Sequence, residues 1–189
     1  NAFNVSTNKT HYSTELGLWM AVGEGGSHTV ATSTDGINWT GKGMVFNIRG
    51  KSVYYTAGVW VAVGEDTDSI KNVAFSTDNG STWSNPTVSL FPSHGNDVIF
   101  SLGRWFVVGS SNNAYWSYDG TTWSTTNMQA MSHIEEINSL NYIDGRLYLP
   151  SRSITSQYKY TASYLYLNPA NGTITKTEPA IAVFDINVD

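Results

Sequence analysis

The sequence predicts an all-β protein, a β-propeller of four-stranded antiparallel blades in about four repeats of ~43 residues. Three observations predict it. A signature recurs along the chain: Gly-x-Trp, a short apolar run, Gly, then a turn rich in Ser, Asp and Gly closed by a second Trp. Copies begin at Gly17, Gly58 and Gly103, with a degraded fourth at Gly145, in steps of 41, 45 and 42 residues. The apolar runs show no polar alternation, the pattern of strands covered on both faces. Composition agrees: charged residues are only 13 % and aromatics are also 13 %, while helical rhythm is nearly absent. Residues 128–138 are the only stretch that allows a helical turn or two. The whole of 1–189 reads as a single propeller domain. Its repeats fall at about 10–50, 51–94, 95–136 and 137–178, with 179–189 a seam strand or the start of a further repeat.

The second repeat shows the plan. Residues 52–55 are β-branched and aromatic and end at Ala57-Gly58, which makes a strand and a turn. Residues 59–63 are the apolar second strand, closed by Gly64. A polar loop follows at 65–71, a third strand at 72–76 and a turn at 77–82, and Trp83 opens the fourth strand. The first repeat matches with 19–22, 29–32 and Trp39. The third uses 97–100, 105–108, 114–117 and Trp123. The fourth uses 139–142, 146–149 and 158–167, and Asn168-Pro169-Ala170-Asn171-Gly172 replaces its turn. A meander apolar on both faces must stack on its neighbours, and radial stacking keeps strand edges short and shielded. Four blades suffice to close a ring, with 3–5 adding the outer strand of the last. Residues 182–189 also resemble the first strand of a further repeat, so a fragment of a longer propeller stands as the alternative.

The bulk numbers narrow the function classes. The net charge is −5 and no Lys/Arg run occurs, so the basic footprint that nucleic acid demands is missing. No apolar run approaches the roughly 18 residues of a membrane span. Without cysteine there is no disulfide and no thiolate metal site. The chain begins at Asn1 without Met, which reads as processing or excision from something longer.

The closing turns carry the most specific motif. Ser76-Thr77-Asp78-Asn79-Gly80-Ser81-Thr82-Trp83 reads Ser-x-Asp-x-Gly-x-Thr-Trp. Ser33, Asp35, Gly36 and Trp39, like Ser117, Asp119, Gly120 and Trp123, belong to versions one residue shorter. The carboxylate is placed to accept backbone N–H groups two or more residues on, Gly supplies a positive φ, and Trp covers the turn. The chain therefore resembles the Asp-box (BNR) repeat β-propellers, which include sialidase-like proteins and repeat proteins of phages, large viruses and bacterial surfaces. The resemblance covers 12–125 well and 138–178 poorly. It implies that the Asp-box turns are structural and lie away from the ligand face. It also implies an extracellular or virion-surface setting, with oligomerisation as part of a larger fibre or particle.

Sialidase chemistry would need an arginine cluster. The chain has only Arg49, Arg104, Arg146 and Arg152, and the arginine motif expected before the first Asp-box is missing. A different glycosidase would need paired carboxylates, for which Glu135, Glu136, Asp66 and Asp68 are the candidates. One acid pair is far from the shell calcium wants, and His11, His28, His94 and His133 show no metal spacing, so no cofactor or metal is expected. Propeller ligands usually meet the face built by the loops between strands two and three and between successive blades. Those loops vary in length and chemistry while the strands repeat. They nominate Glu24, His28, Asp66, Asp68, Lys71, Asn112, Asn113 and Arg152 from the first set, and Arg49 and His94 from the second. The expectation is a non-catalytic module that binds a glycan or a protein surface receptor. A carbohydrate-active hydrolase and an intracellular assembly scaffold are the alternatives.

Overall fold

The computed structural model describes residues 3, 5–111, 113–124, 128–129, 134–153, 160–167 and 174–177, giving the backbone path alone for 128–129, 134–135, 151–153, 160–167 and 174–177. Within them every element but a short 3₁₀ turn at Ser69–Asn72 is a strand. The first sheet runs in chain order through β1 (Ser6–Ser13), β2 (Leu18–Glu24), β3 (Val30–Ser33) and β4 (Thr40–Gly41). The second holds β5 (Arg49–Thr56), β6 (Val59–Glu65) and β7 (Val73–Ser76), and a bridge between Phe75 and Ser84 stands for its fourth strand. The third holds β8 (Gly95–Ser101), β9 (Arg104–Gly109), β10 (Asn113–Ser117) and β11 (Met128–Gln129). In the fourth, β12 (Ile134–Ile137) and β13 (Asn141–Ile143) both pair with β14 (Arg146–Ser153), followed by β15 (Tyr160–Leu167) and β16 (Ile174–Thr177). All pairings are antiparallel, and the sheets are the blades of a β-propeller.

Two local readings of the sequence change. Residues 128–129 and 134–137 are strands, not helical turns: Met128 faces Ala114 along a sheet edge, and Ile137 is fully buried beside Phe106 and Leu147. At the other end of the chain Val5 N donates to Glu24 O at 3.3 Å, so this segment extends the first sheet. Ile48 N does the same to Glu65 O in the second. The turn expected at 168–172 and the seam at 179–189 lie outside the described residues.

The unalternating runs of β6 and β9 have a plain cause, since each is packed from both sides. In β6, Trp60 and Ala62 join Met20, Val22 and Val30 of the first sheet, while Val61 and Val63 join Trp105 and Val107 of the third. In β9, Phe106 and Val108 join Ile137, Leu147 and Leu149 of the fourth. Trp60 is 0 % exposed and Trp105 1 %, and burying such a side chain contributes about 1.5–3 kcal/mol or more each. Linker phenylalanines complete the first two interfaces. Phe46 and Phe91 lie over Gly64 and Gly109, with ring carbons 2.8 and 2.9 Å from where a Cβ would stand. Only glycine admits them.

Candidate functional site

In each of the first three blades the first strand is interrupted at one place, and in the fourth a further slip falls between Ile134 and Glu136. The register slips between Thr7 and Lys9, between Gly50 and Ser52, and between Gly95 and Asp97. Each bulge leaves one residue outside the ladder: Asn8, Lys51 and Asn96. In the fourth sheet Ile137 faces Ser151 and Asn141 faces Tyr148, which puts Asn138 in the corresponding place. A bulge turns its side chain away from the pleat. Here the side chains reach forward to the next blade. Asn8 Nδ2 donates to Gly50 O (2.8 Å), Lys51 Nζ to Asn96 Oδ1 (2.8 Å) and Asn96 Nδ2 to Ile137 O (3.0 Å).

Two residues before each bulge, the four blades carry four different side chains: Ser6, Arg49, His94 and Glu136. The register sets Ser6 opposite Glu24, Arg49 opposite Glu65 and Glu136 opposite Arg152, and His94 O accepts from Ser110 N. A chain of alternating charge results. Arg49 Nε meets Glu65 Oε2 at 2.9 Å, and its Nη1 lies 3.7 Å from Glu24 Oε2. His94 Nε2 meets Glu136 Oε1 at 2.8 Å, and Asn96 Nδ2 donates to the same oxygen at 2.6 Å. Burial pushes the Glu136 carboxyl up, but the His94 and Asn96 hydrogen bonds and the nearby charges of His94 and Lys51 outweigh it and hold it below its ordinary value. Burial also lowers Lys51, against the opposing pull of Glu65 and Glu136.

Beneath this arc, Asp97 is a common anchor. Its carboxylate accepts from Lys9 Nζ (2.6 Å), Ser52 Oγ (2.6 Å) and Leu140 N (2.9 Å), one group from each other sheet. The arc stands where first strands begin and second strands end. That is the end of the sheets bearing the loops between strands two and three and between blades.

At the opposite end are the three hairpin turns. Asp35 Oδ1 accepts from Ile37 N (2.8 Å) and Asn38 N (2.7 Å), and Asp119 Oδ1 from Thr121 N and Thr122 N, both at 2.7 Å. Asp78 accepts from Thr82 N (2.8 Å) and Thr82 Oγ1 (2.6 Å). Ser33, Ser76 and Ser117 each take the N–H of Gly36, Gly80 or Gly120 at 2.9 Å. Those glycines have φ of 74°, 83° and 77°, which a side chain resists. Hydrogen bonds from Asn38 lead in holding Asp35 far below the usual carboxylate range, and the Thr82 hydroxyl leads in bringing Asp78 down to about 2. At Asp119 partial burial opposes the shift, but the Thr122 and Thr121 amides still bring it to about 2. Trp83 and Trp123 pack into the interfaces between blades, and Trp39 Nε1 donates to Gly36 O at 3.1 Å.

Of the residues the sequence nominated for ligands, Glu24, Arg49 and His94 meet in the arc, and the register brings the backbone of Arg152 beside Glu136. The others are dispersed. Asp66 is buried and ties its loop to the linker before β5, accepting from Asn47 N (2.7 Å) and Asp68 N (2.9 Å). Asp68 accepts from Ile70 N at the 3₁₀ turn and lies 3.9 Å from Lys71. His28 Nδ1 accepts from Gly43 N at 2.9 Å, Asn113 N donates to Ser111 Oγ at 3.2 Å, and Asn112 lies outside the described residues. Of the acids proposed as a pair, Glu136 is in the arc, whereas only the backbone of Glu135 is described. Sequence reasoning did not single out Lys51, Glu65, Asn96 or Asp97. Their signal was the pair Gly50 and Gly95, 45 residues apart, each followed by a long polar side chain. Among the described residues no group of three or more His, Cys, Asp or Glu could hold a metal ion.

The fold has solved counterparts. The chain is similar to the computationally designed Ika4 protein, with a TM-score of 0.53, 11 % identity, and 93 % of this chain and 92 % of that one covered. It is similar to the designed Ika8 protein, with a TM-score of 0.52, 9 % identity and coverage of 91 % and 61 %. It is also similar to Bacteroides ovatus Xyloglucan PUL GH43B, with a TM-score of 0.51, 11 % identity and coverage of 87 % and 39 %. The chain thus spans less than two thirds of the last two. At such identity the likeness is one of fold. No family model matches the chain, and no curated protein matches it.

Proposed function

We propose that this propeller is a non-catalytic recognition module of the Asp-box (BNR) repeat kind, binding a glycan or a protein surface through the arc and its loops. Its setting is the outside of a virus, phage or cell, within a larger fibre or particle. The observation that carries the reading is the divergence of one repeat position, Ser6, Arg49, His94 and Glu136, at the end of the sheets that bears the variable loops. The paired charges there are part-exposed, with Arg49 at 41 % and Glu24 at 37 %, so polar groups stand ready to exchange partners with a ligand. Mixed donors and acceptors suit hydroxyl-rich or protein surfaces better than a single anion. The test is a glycan array run with the native chain, with Arg49→Met/Glu136→Gln, and with Asp78→Asn at the other end. Selective binding that survives Asp78→Asn and disappears in the double variant is expected. Binding indifferent to the double variant sinks the reading.

A second reading has one observation behind it. The charges of Glu65 and Glu136 both favour the Lys51 ammonium, in a fold also found in a GH43 protein. A glycosidase acid needs a carboxyl raised toward neutral pH, and Glu136 is shifted the other way. Release of aryl aglycone that vanishes in Glu136→Gln would install the hydrolase in place of the binding module.

A further inference from the structure

Of the three blades with an aspartate-closed turn, the third alone sets an arginine against two aromatic rings at this end. The placement follows from strand periodicity. Phe106 of β9 pairs with Trp116 of β10, so their side chains share a face of the sheet. Arg104 stands two residues before Phe106, and Tyr118 two after Trp116, which brings all three together at the hairpin end. The Arg104 guanidinium carbon lies 4.8 Å from the centroid of the Trp116 ring and 4.8 Å from that of Tyr118. The two rings meet edge to face, 5.1 Å apart and at 81°. Arg104 and Trp116 are half-buried, while Tyr118 is 65 % exposed.

The fold does not require this trio. The register places Leu18, Thr32 and Thr34 at the corresponding positions of the first blade, and Val59, Phe75 and Thr77 at those of the second. Both blades close the same turn with the same Ser, Asp and Gly. Nor is the cation neutralised. Lys9, Arg49 and Lys71 have carboxylates at 2.6, 2.9 and 3.9 Å, whereas Arg104 has none within 4 Å among the described residues. Rings packed on a guanidinium fix its plane and strip water from its faces, and its donors then point outward along its edge. Such a planar fork matches a carboxylate. The exposed Tyr118 ring beside it offers an apolar plate with a polar tip, a surface suited to the C–H face of a sugar.

We infer that Arg104, Trp116 and Tyr118 form a site for a uronic-acid sugar, with its carboxylate on the Arg104 fork and its ring against Tyr118. The site is separate from the arc, which lies at the other end of the sheets.

Trigalacturonate and its methyl ester are the probes, since the ester keeps the rings and removes the charge. An NMR titration followed at the Trp116 indole N–H should give a Kd below about 1 mM for the acid and binding at least about tenfold weaker for the ester. Arg104→Gln should weaken the acid at least about tenfold, and Tyr118→Ala about three- to tenfold. Far-UV spectra should stay native in both, because Tyr118 is exposed and the first two blades fold without the arginine. Arg49→Met/Glu136→Gln should leave the titration unchanged, so failure of the arc as a binding face and failure of this site are told apart. No binding, equal binding of acid and ester, or binding that survives either single variant overturns the inference. Loss of binding in Arg49→Met/Glu136→Gln overturns it as well, by moving the sugar to the arc.

Discussion

At the hairpin end of the sheets, Asp35, Asp78 and Asp119 bond to amides two to four residues away, and the three turns are near copies. At the bulged end, His94 and Glu136 are 42 residues apart, Ser52 and Asp97 are 45 apart, and the position two residues before the bulge differs in every blade. The difference separates two duties. A turn that must form in every blade can satisfy itself locally, so its residues repeat. A face that meets something else has no reason to repeat, and its side chains are held by partners from neighbouring blades.

Breaking what both ends share should have the largest effect. Trp60→Ala opens the interface between the first two blades and is expected to cost about 3–5 kcal/mol in denaturant unfolding. A loss under 1 kcal/mol would mean that the blades do not depend on one another.

The hairpin end comes next. Ser117 Oγ, on a residue 1 % exposed, accepts from Gly120 N and donates toward Thr122 O at 2.6 Å. Ser117→Ala strands those groups and should cost about 1–3 kcal/mol. Acid should act here as well. Asp78 and Asp119 are depressed from 3.8 to about 2, so the folded state is favoured while they are ionised. That contribution is complete above about pH 5 and fades as pH falls from there to below about 2. Asp78→Asn should flatten the acid limb of a Tm-against-pH curve, and an unaltered limb would deny the turn its electrostatic role.

The bulged end should show the reverse balance. Arg49→Met removes a part-exposed ion pair, worth at most about 1 kcal/mol of stability, yet it should abolish ligand capture. A variant that unfolds without first losing binding would collapse the distinction between the two ends.

The smallest effect sharpens it. His11 packs on Tyr54 with centroids 4.3 Å apart, and burial, assisted by Lys9, lowers its pKa below 6.5. The folded state therefore prefers neutral imidazole, and stability declines as pH falls below about 6.5. His11→Phe should reduce the Tm difference between pH 7.5 and pH 5 by a degree or two.

The hairpin end was legible because its information is contiguous: Ser76 through Trp83 contains the donor, the acceptor, the positive-φ glycine and the cover of one turn. The doubly packed strands were legible for a related reason, since an apolar run such as 59–63 reports cover on both faces without saying by what. The arc was half legible. Arg49, Glu24 and His94 stood out as loop residues on the correct face, while Asp66, Asp68 and His28 looked equally eligible and proved to bracket backbone, Asp68 that of its own loop and Asp66 and His28 also that of the linker between the first two blades. Nothing local distinguishes a carboxylate bonded to its own loop from one that faces another blade.

What the sequence alone determined is the repeating unit: four short strands, a turn closed by aspartate and tryptophan, and an apolar second strand requiring neighbours. These follow from interactions between residues a few positions apart, which spacing records. Only the tertiary structure decided that the strand-opening bulges line up, that Asp97 receives a group from each other sheet, and that His94 adjoins Glu136. Those contacts span whole repeats, and their geometry exists only once the blades have stacked about a common axis.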